Sequence, residues 1–138
     1  HKIMKIFASY GSLRKGFWNH TRFGLGEPLA TSVIKGSMFM NNSLGYPWLF
    51  NEEDSKAMNA KIIDYPVELF EVSEEKFNRI DMMEQGSGYK AEEVEFQVIY
   101  EKGKDNSKVL ATAWFADPLC ISPSETQWIE EYKAKLWR

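Results

Sequence analysis

Val67-Glu68-Leu69-Phe70-Glu71-Val72-Ser73-Glu74-Glu75-Lys76-Phe77-Asn78-Arg79-Ile80-Asp81-Met82-Met83-Glu84-Gln85-Gly86 is the stretch whose reading decides the fold. Val67 to Val72 is strand-like. Ser73 then stands where a helix N-cap belongs, with Glu74 and Glu75 in the first turn, where the helix dipole favours negative charge. Phe77, Ile80, Asp81 and Glu84 recur at i, i+3, i+4 and i+7, so they share one helix face. Phe77 and Ile80 mark the buried side, which puts Glu84 at the lower end of an apolar stripe. Gly86 and Gly88 follow, so the helix ends close behind Glu84. In a last turn the dipole disfavours a carboxylate, and burial acts the same way. Both effects suit a carboxyl group that takes up and releases a proton near neutrality. Most acids at such positions are solvated and bend away from the core, and the pattern alone leaves that reading open.

Upstream, Ile3 to Ser9 is an apolar run suited to a strand buried on both faces, ending at the turn-forming Tyr10-Gly11-Ser12. Leu13 to Leu29 carries three glycines and a proline and reads as loop with a short helical turn. Thr31 to Met40 is a second strand, interrupted by Gly36, and Asn41 to Trp48 is turn-rich. Ala60 to Tyr65 is strand-like, with Pro66 arguing for a break or an edge position before Val67. Downstream, the alternation around Val94, Phe96, Val98 and Tyr100 predicts a strand with one wet face. Lys102 to Lys108 is a hairpin loop, and Val109 to Ala116 returns as an apolar strand. Ser122-Pro123-Ser124-Glu125 has the residues of a helix start, followed by Trp128, Ile129, Tyr132 and Leu136 at helical spacing, which predicts a second packing helix. The strands are mostly neighbours in sequence. The expected fold is therefore α+β: a small mixed, mainly antiparallel β-barrel with flanking helices, in a single domain over residues 1–138. His1 reads as the end of a purification tag, with residues 1–3 tag-derived and the native chain beginning at Met4.

Composition narrows the function. The chain has 43% apolar and 14% aromatic residues, enough for a core dominated by large flat side chains. A net charge of −3, with both signs interspersed, gives no electrostatic footprint for nucleic acid and no polybasic membrane anchor. The expected partner is a small molecule. Cys120 is the only cysteine, so no intrachain disulfide forms, and no signal peptide or long apolar span is evident; a cytoplasmic protein is expected. Two histidines and one cysteine show no metal-ligand spacing. Gly11 and Gly16 have P-loop spacing, but Phe17 and Trp18 stand where Lys and Ser/Thr are required. No metal and no cofactor are expected.

Several segments taken together carry a resemblance. Ile6-Phe7-Ala8-Ser9-Tyr10-Gly11-Ser12-Leu13-Arg14 is similar to the opening strand and loop of the gamma-glutamylcyclotransferase-like (AIG2-like) family. Asn19-His20, Gly45-Tyr46-Pro47-Trp48-Leu49, the unit from Glu68 to Glu84, Tyr89-Lys90 with Glu93-Val94, and Ala113-Trp114-Phe115 resemble its later segments, in order. Val67 stands where the family commonly has glycine, and a side chain there is expected to narrow the cavity. Lys90 replaces the usual arginine, exchanging a planar fork for a point charge.

The resemblance implies an enzyme that releases 5-oxoproline and a free amine from a small gamma-glutamyl-amine or related conjugate. It implies Glu84 as the catalytic general acid/base. The substrate supplies its own α-amino nucleophile, so no Ser or Cys nucleophile is required. The turn at Tyr10, Gly11, Ser12 and Leu13 would present backbone N–H groups either to the substrate carboxylate or to the oxyanion; it reads equally as a plain turn that needs glycine. Tyr89 is a candidate hydrogen-bonding residue and, as a strand aromatic, also a packing residue. Trp48 is a candidate wall for the variable part of the substrate, while His20 reads as structural and Met82 and Met83 as packing residues. The alternative function is a non-catalytic binding protein on the same scaffold that sequesters a small anionic ligand.

Overall fold

The computed structural model describes residues 3–11, 18–41, 47–98, 107–120 and 126–129. Elements run in the order β1 (Met4–Ser9), α1 (Trp18–Arg22), β2 (Ala30–Asn41), β3 (Pro47–Phe50), α2 (Glu52–Ala57), β4 (Ile63–Ser73), α3 (Glu74–Gly86), β5 (Tyr89–Gln97), β6 (Lys108–Ala116) and β7 (Thr126–Ile129). The strands lie in the order β3-β2-β4-β1-β6-β5, with β7 also on β2. Every pairing is antiparallel except β1 with β6. The architecture is the expected mixed, mainly antiparallel α+β one with flanking helices. The sheet curls far enough to bring β3 against β6, but no strand pairing closes it into a barrel among the described residues.

The alternation of side chains along each strand sorts the core into two faces. Ala8, Leu69 and Phe115 face a cluster that includes the fully buried Tyr65, Met38 and Leu49. Their neighbours Phe7, Phe70 and Trp114 face the other way and receive Ile80 of α3. Burial of Ile80 alone contributes about 2 kcal/mol. Tyr65, wholly buried, satisfies its hydroxyl by accepting from the Met38 N–H at 3.0 Å.

Of the two outcomes Pro66 allowed, the edge position holds: β4 runs unbroken through it, and among the described residues β1 pairs only as far as Glu68, so one edge of the strand is open at Pro66. Two features depart from the sequence expectation. Gly36 does not interrupt β2. It marks the point where β2 passes from β4 to β3, and a Cβ there would lie 2.2 Å from the Phe50 carbonyl oxygen. The predicted second helix is corrected over Thr126–Ile129, which form β7 and pair with Met38–Asn41 of β2. The open edge of β2 offers backbone partners, and Trp and Ile sit as readily in a strand as in a helix. Ser122 to Glu125, Tyr132 and Leu136 lie outside the described residues.

α2 has no counterpart in the sequence reading. Asn51 caps it by accepting from the Asp54 N–H at 2.8 Å, and acidic residues fill its first turn. Among the described residues, no helix is long and apolar enough to cross a membrane.

Candidate active site

α3 begins as its sequence implies, with the Ser73 hydroxyl accepting from the Lys76 N–H at 3.3 Å. Ile80 is fully buried, and Phe77 packs on the Trp114 ring at 5.5 Å between centroids. One turn beyond Ile80, Glu84 lies on the same face. The helix ends at Gly86, and Gly88 at φ 91° turns the chain into β5, where a left-handed conformation favours glycine. The Gly88 carbonyl accepts from the Asp117 N–H at 3.0 Å, which pins this turn to the end of β6. The last turn of α3 is thereby fixed against the sheet end at which β1 and β6, running parallel, both finish.

Glu84 as a whole residue is half-buried, yet its carboxyl group is surrounded by protein. Burial pushes its pKa up to about 7, and the neighbouring Asp81 carboxylate adds to the rise. The sequence reading foresaw burial; the second cause is a like charge. Asp81 is itself firmly held. One oxygen accepts from Trp114 Nε1 at 2.8 Å and the other from Gln85 Nε2 at 2.9 Å.

Trp114 also links this acidic pair to the turn after β1. Its carbonyl accepts from the Tyr10 hydroxyl at 2.6 Å. Tyr10 is thus a buried core residue that anchors the turn with its side chain, leaving its backbone to lead outward. The Gly11 N–H lies 3.4 Å from the Ser9 hydroxyl, a long contact that spends the amide weakly. Gly11 is not in the left-handed region, and a Cβ there would meet only the Pro47 ring at 3.8 Å. The turn therefore does not require glycine for conformational reasons at this position. Ser12 and Leu13 lie outside the described residues.

Tyr89, opposite Ala116 in the β5–β6 pairing, is half-buried and donates its hydroxyl to the Pro47 carbonyl at 2.5 Å. It therefore braces the start of β3 as well as packing against its neighbours. Glu84, Tyr10, Gly11 and Tyr89 thus gather around one end of the sheet, through Trp114 and Pro47.

The two departures from the family pattern have structural outcomes. Val67 is buried in the main core cluster, where its side chain fills space between the sheet's own residues. Lys90 reaches Asp54 of α2 at 3.0 Å and Glu92 at 3.9 Å, tying β5 to α2. Burial opposes its charge, but Asp54 and the acids around it outweigh burial and raise its pKa. Trp48 is buried, and its Nε1 donor has no partner among the described residues. His20 meets the Gly26 carbonyl at 2.8 Å, a structural contact. Met82, read as a packing residue, is instead 76% exposed, since it lies on the outer face of α3.

The residues that sequence reasoning missed are the ones that hold others. Trp114 entered the sequence reading only as part of a strand segment that resembles the family, although an indole in an apolar strand carries a donor that needs a partner. Asp81 shares the helix face with Glu84, but nothing in its spacing reveals the donors from Trp114 and Gln85. Among the described residues, no group of three or more His, Cys, Asp or Glu side chains is arranged to hold a metal ion.

Comparison with known proteins adds to this geometry. A family model described as gamma-glutamyl cyclotransferase, AIG2-like, matches residues 7–138. A Methanocaldococcus jannaschii protein named "Putative gamma-glutamylcyclotransferase" is 32% identical over 112 residues, covering 74% of this chain and 78% of the relative. Among solved structures, an uncharacterised protein from Pyrococcus horikoshii is 25% identical with a TM-score of 0.59, over 91% of this chain and 86% of that one. An AIG2-like protein from Mus musculus has a TM-score of 0.62 at 19% identity, over 96% of this chain and 90% of that one, and so shares the fold.

Proposed function

The chain belongs to the gamma-glutamyl cyclotransferase, AIG2-like family, and on that premise we propose that it releases 5-oxoproline and a free amine from a small gamma-glutamyl-amine or gamma-glutamyl conjugate. Glu84 serves as the general acid/base. The observation that carries this reading is the Glu84 carboxyl group, enclosed by protein at the end of α3 with its pKa pushed up to about 7. At neutral pH such a group is divided between its two protonation states, which is the condition for both accepting and donating a proton in one turnover.

The reaction asks for little covalent machinery. Glu84, ionised, takes a proton from the substrate's α-ammonium group. The freed amine attacks the γ-carbonyl and closes a five-membered ring, which puts negative charge on the carbonyl oxygen. Protonated Glu84 hands its proton to the departing nitrogen as the bond from that carbon to it breaks and the carbonyl re-forms. The ring nitrogen, which still carries two hydrogens, gives its second proton to the re-ionised Glu84, and that proton leaves on the released amine as its ammonium. In this reading the Gly11 N–H, which makes only a long 3.4 Å contact with the Ser9 hydroxyl, receives the substrate's carboxylate or the transient oxyanion. Holding the substrate curled is itself a large part of the rate, because ring closure needs both reacting atoms within contact distance.

The test is incubation with a panel of gamma-glutamyl amines and peptides, with 5-oxoproline followed by mass. The reading expects product from at least one member and loss of that product in Glu84→Gln. Product formed equally by the variant would remove Glu84 from the mechanism. No product from any member, together with tight binding of one of them, would favour sequestration over turnover.

A further inference from the structure

Trp114 makes two hydrogen bonds in opposite directions from one residue of β6. Its indole donates to Asp81 at 2.8 Å, and its carbonyl accepts from the Tyr10 hydroxyl at 2.6 Å. The residue is buried, with its ring packed at a tilt between Phe7 at 5.6 Å and Phe77 at 5.5 Å, so the indole N–H has a fixed aim. A buried ring of this kind has no low-cost alternative rotamer. Asp81, three residues before Glu84 on the same helix face, places its Cβ about 5–6 Å from that of Glu84. Two N–H donors occupy the two Asp81 oxygens, one from Trp114 and one from Gln85, as suits an ionised carboxylate.

We propose that Trp114 and Asp81 are positioning residues for proton transfer: the indole locks the Asp81 carboxylate beside Glu84, and the charge so fixed sets how readily Glu84 gives up its proton. This inference rests on Glu84 being the proton-transfer group. An unrestrained aspartate at this place would swing toward water, and its repulsion on Glu84 would fall away with distance and screening. The clamp keeps the charge where it acts.

The other charged groups on elements packed against α3 do not substitute for it. Lys5 of β1 lies over the Phe77 ring at 5.9 Å, and Arg22 of α1 reaches the Met83 sulfur at 3.8 Å. Lys90 of β5 is engaged with Asp54 at 3.0 Å, while Asp117 beyond β6 acts on Lys90. Asp64, Glu68 and Glu71 lie on β4, and Glu92, Glu93 and Glu95 on β5. Among the described residues, Asp81 and none of these is the charge that acts at Glu84. The same strand residue also steadies the Tyr10 turn, so one tryptophan holds the acid's neighbour and the amide-bearing loop in a common frame.

The test is a titration of the Glu84 side-chain carboxyl by carbon NMR in glutamate-labelled protein, the signal being assigned by its loss in Glu84→Gln. Asp81→Asn keeps the shape of the side chain, and a flip of the Gln85 amide restores the second hydrogen bond. The expected midpoint falls by about one pH unit when the charge is removed. Trp114→Phe retains the charge and removes the indole donor; its midpoint falls in the same direction by a smaller amount. The acid limb of kcat/KM moves with the midpoint in both variants. A midpoint in Asp81→Asn equal to that of the parent overturns the coupling, and an unmoved midpoint in Trp114→Phe overturns the role of the indole. If Asp81→Asn does not fold, the Trp114→Phe titration decides alone. Full activity in Glu84→Gln would instead overturn the reading of the previous subsection, so the two failures are distinguishable.

Discussion

On one side of the first residues of β5, Lys90 reaches Asp54 at 3.0 Å and Glu92 at 3.9 Å. On the other, Asp81 and Glu84 share a helix face, and neither has an ion pair among the described residues. The first cluster offsets its charges and stays partly open to solvent, where such pairs contribute about 0–1 kcal/mol. The second crowds two acids together, one of them enclosed, and gains nothing for folding by doing so. Like charges that a fold tolerates in an enclosed position are the mark of a site shaped for chemistry rather than for stability. Lys90 and Asp54 brace the structure; Glu84 burdens it, beside an Asp81 that two hydrogen bonds hold.

The sharpest way to break this contrast is Glu84→Gln. Turnover to 5-oxoproline is expected to fall by about 10²- to 10⁴-fold, with the circular dichroism spectrum unchanged. Stability should move the opposite way. Glu84 has its folded pKa raised from 4.5 to about 7, so it is protonated in both states at low pH and favours neither. As pH rises through the unfolded value, the unfolded chain ionises first, and the parent loses stability until the folded value is passed. Glu84→Gln should therefore be more stable than the parent above pH 7, by up to about 3 kcal/mol. Urea melts near pH 8 and again near pH 4.5 check this, the difference closing at the lower pH.

Smaller effects sharpen the other half. Tyr89→Phe removes the hydroxyl held by Pro47 and should cost about 1 kcal/mol in a thermal melt. Asp54→Asn should cost less than about 1 kcal/mol and leave the pH dependence of turnover where it was. A large shift of that dependence in Asp54→Asn would mean that the bracing cluster also reaches the acid.

Much of this was readable from residue order. The strands that announce themselves by alternation formed, and so did α3, whose Ser73 cap and terminal glycines bound it on both sides. The face bearing Phe77, Ile80 and Glu84 followed from helical spacing alone. Other parts depended on partners distant in sequence. Trp128 and Ile129 suit either period, and the open edge of β2 decided for a strand. Pro66 sits inside β4 because the neighbouring strand stops short, which local sequence does not reveal. α2 carried a signal in Asn51 and its following acids, but it buries only Ser55 and so shows no apolar stripe. In the site, Glu84 was legible, while the hydrogen bond between Trp114 and Asp81 joins residues 33 positions apart and exists only once the sheet has formed.

The dependence of kcat/KM for 5-oxoproline release on pH, from about 5 to 9, asks the question most directly, since it reports the free enzyme's essential groups. An enclosed Glu84 acting as the base gives a limb that rises with pH and bends at about 7, near the value its surroundings impose. A rate already level at pH 5, with no bend near neutrality, would contradict the assignment.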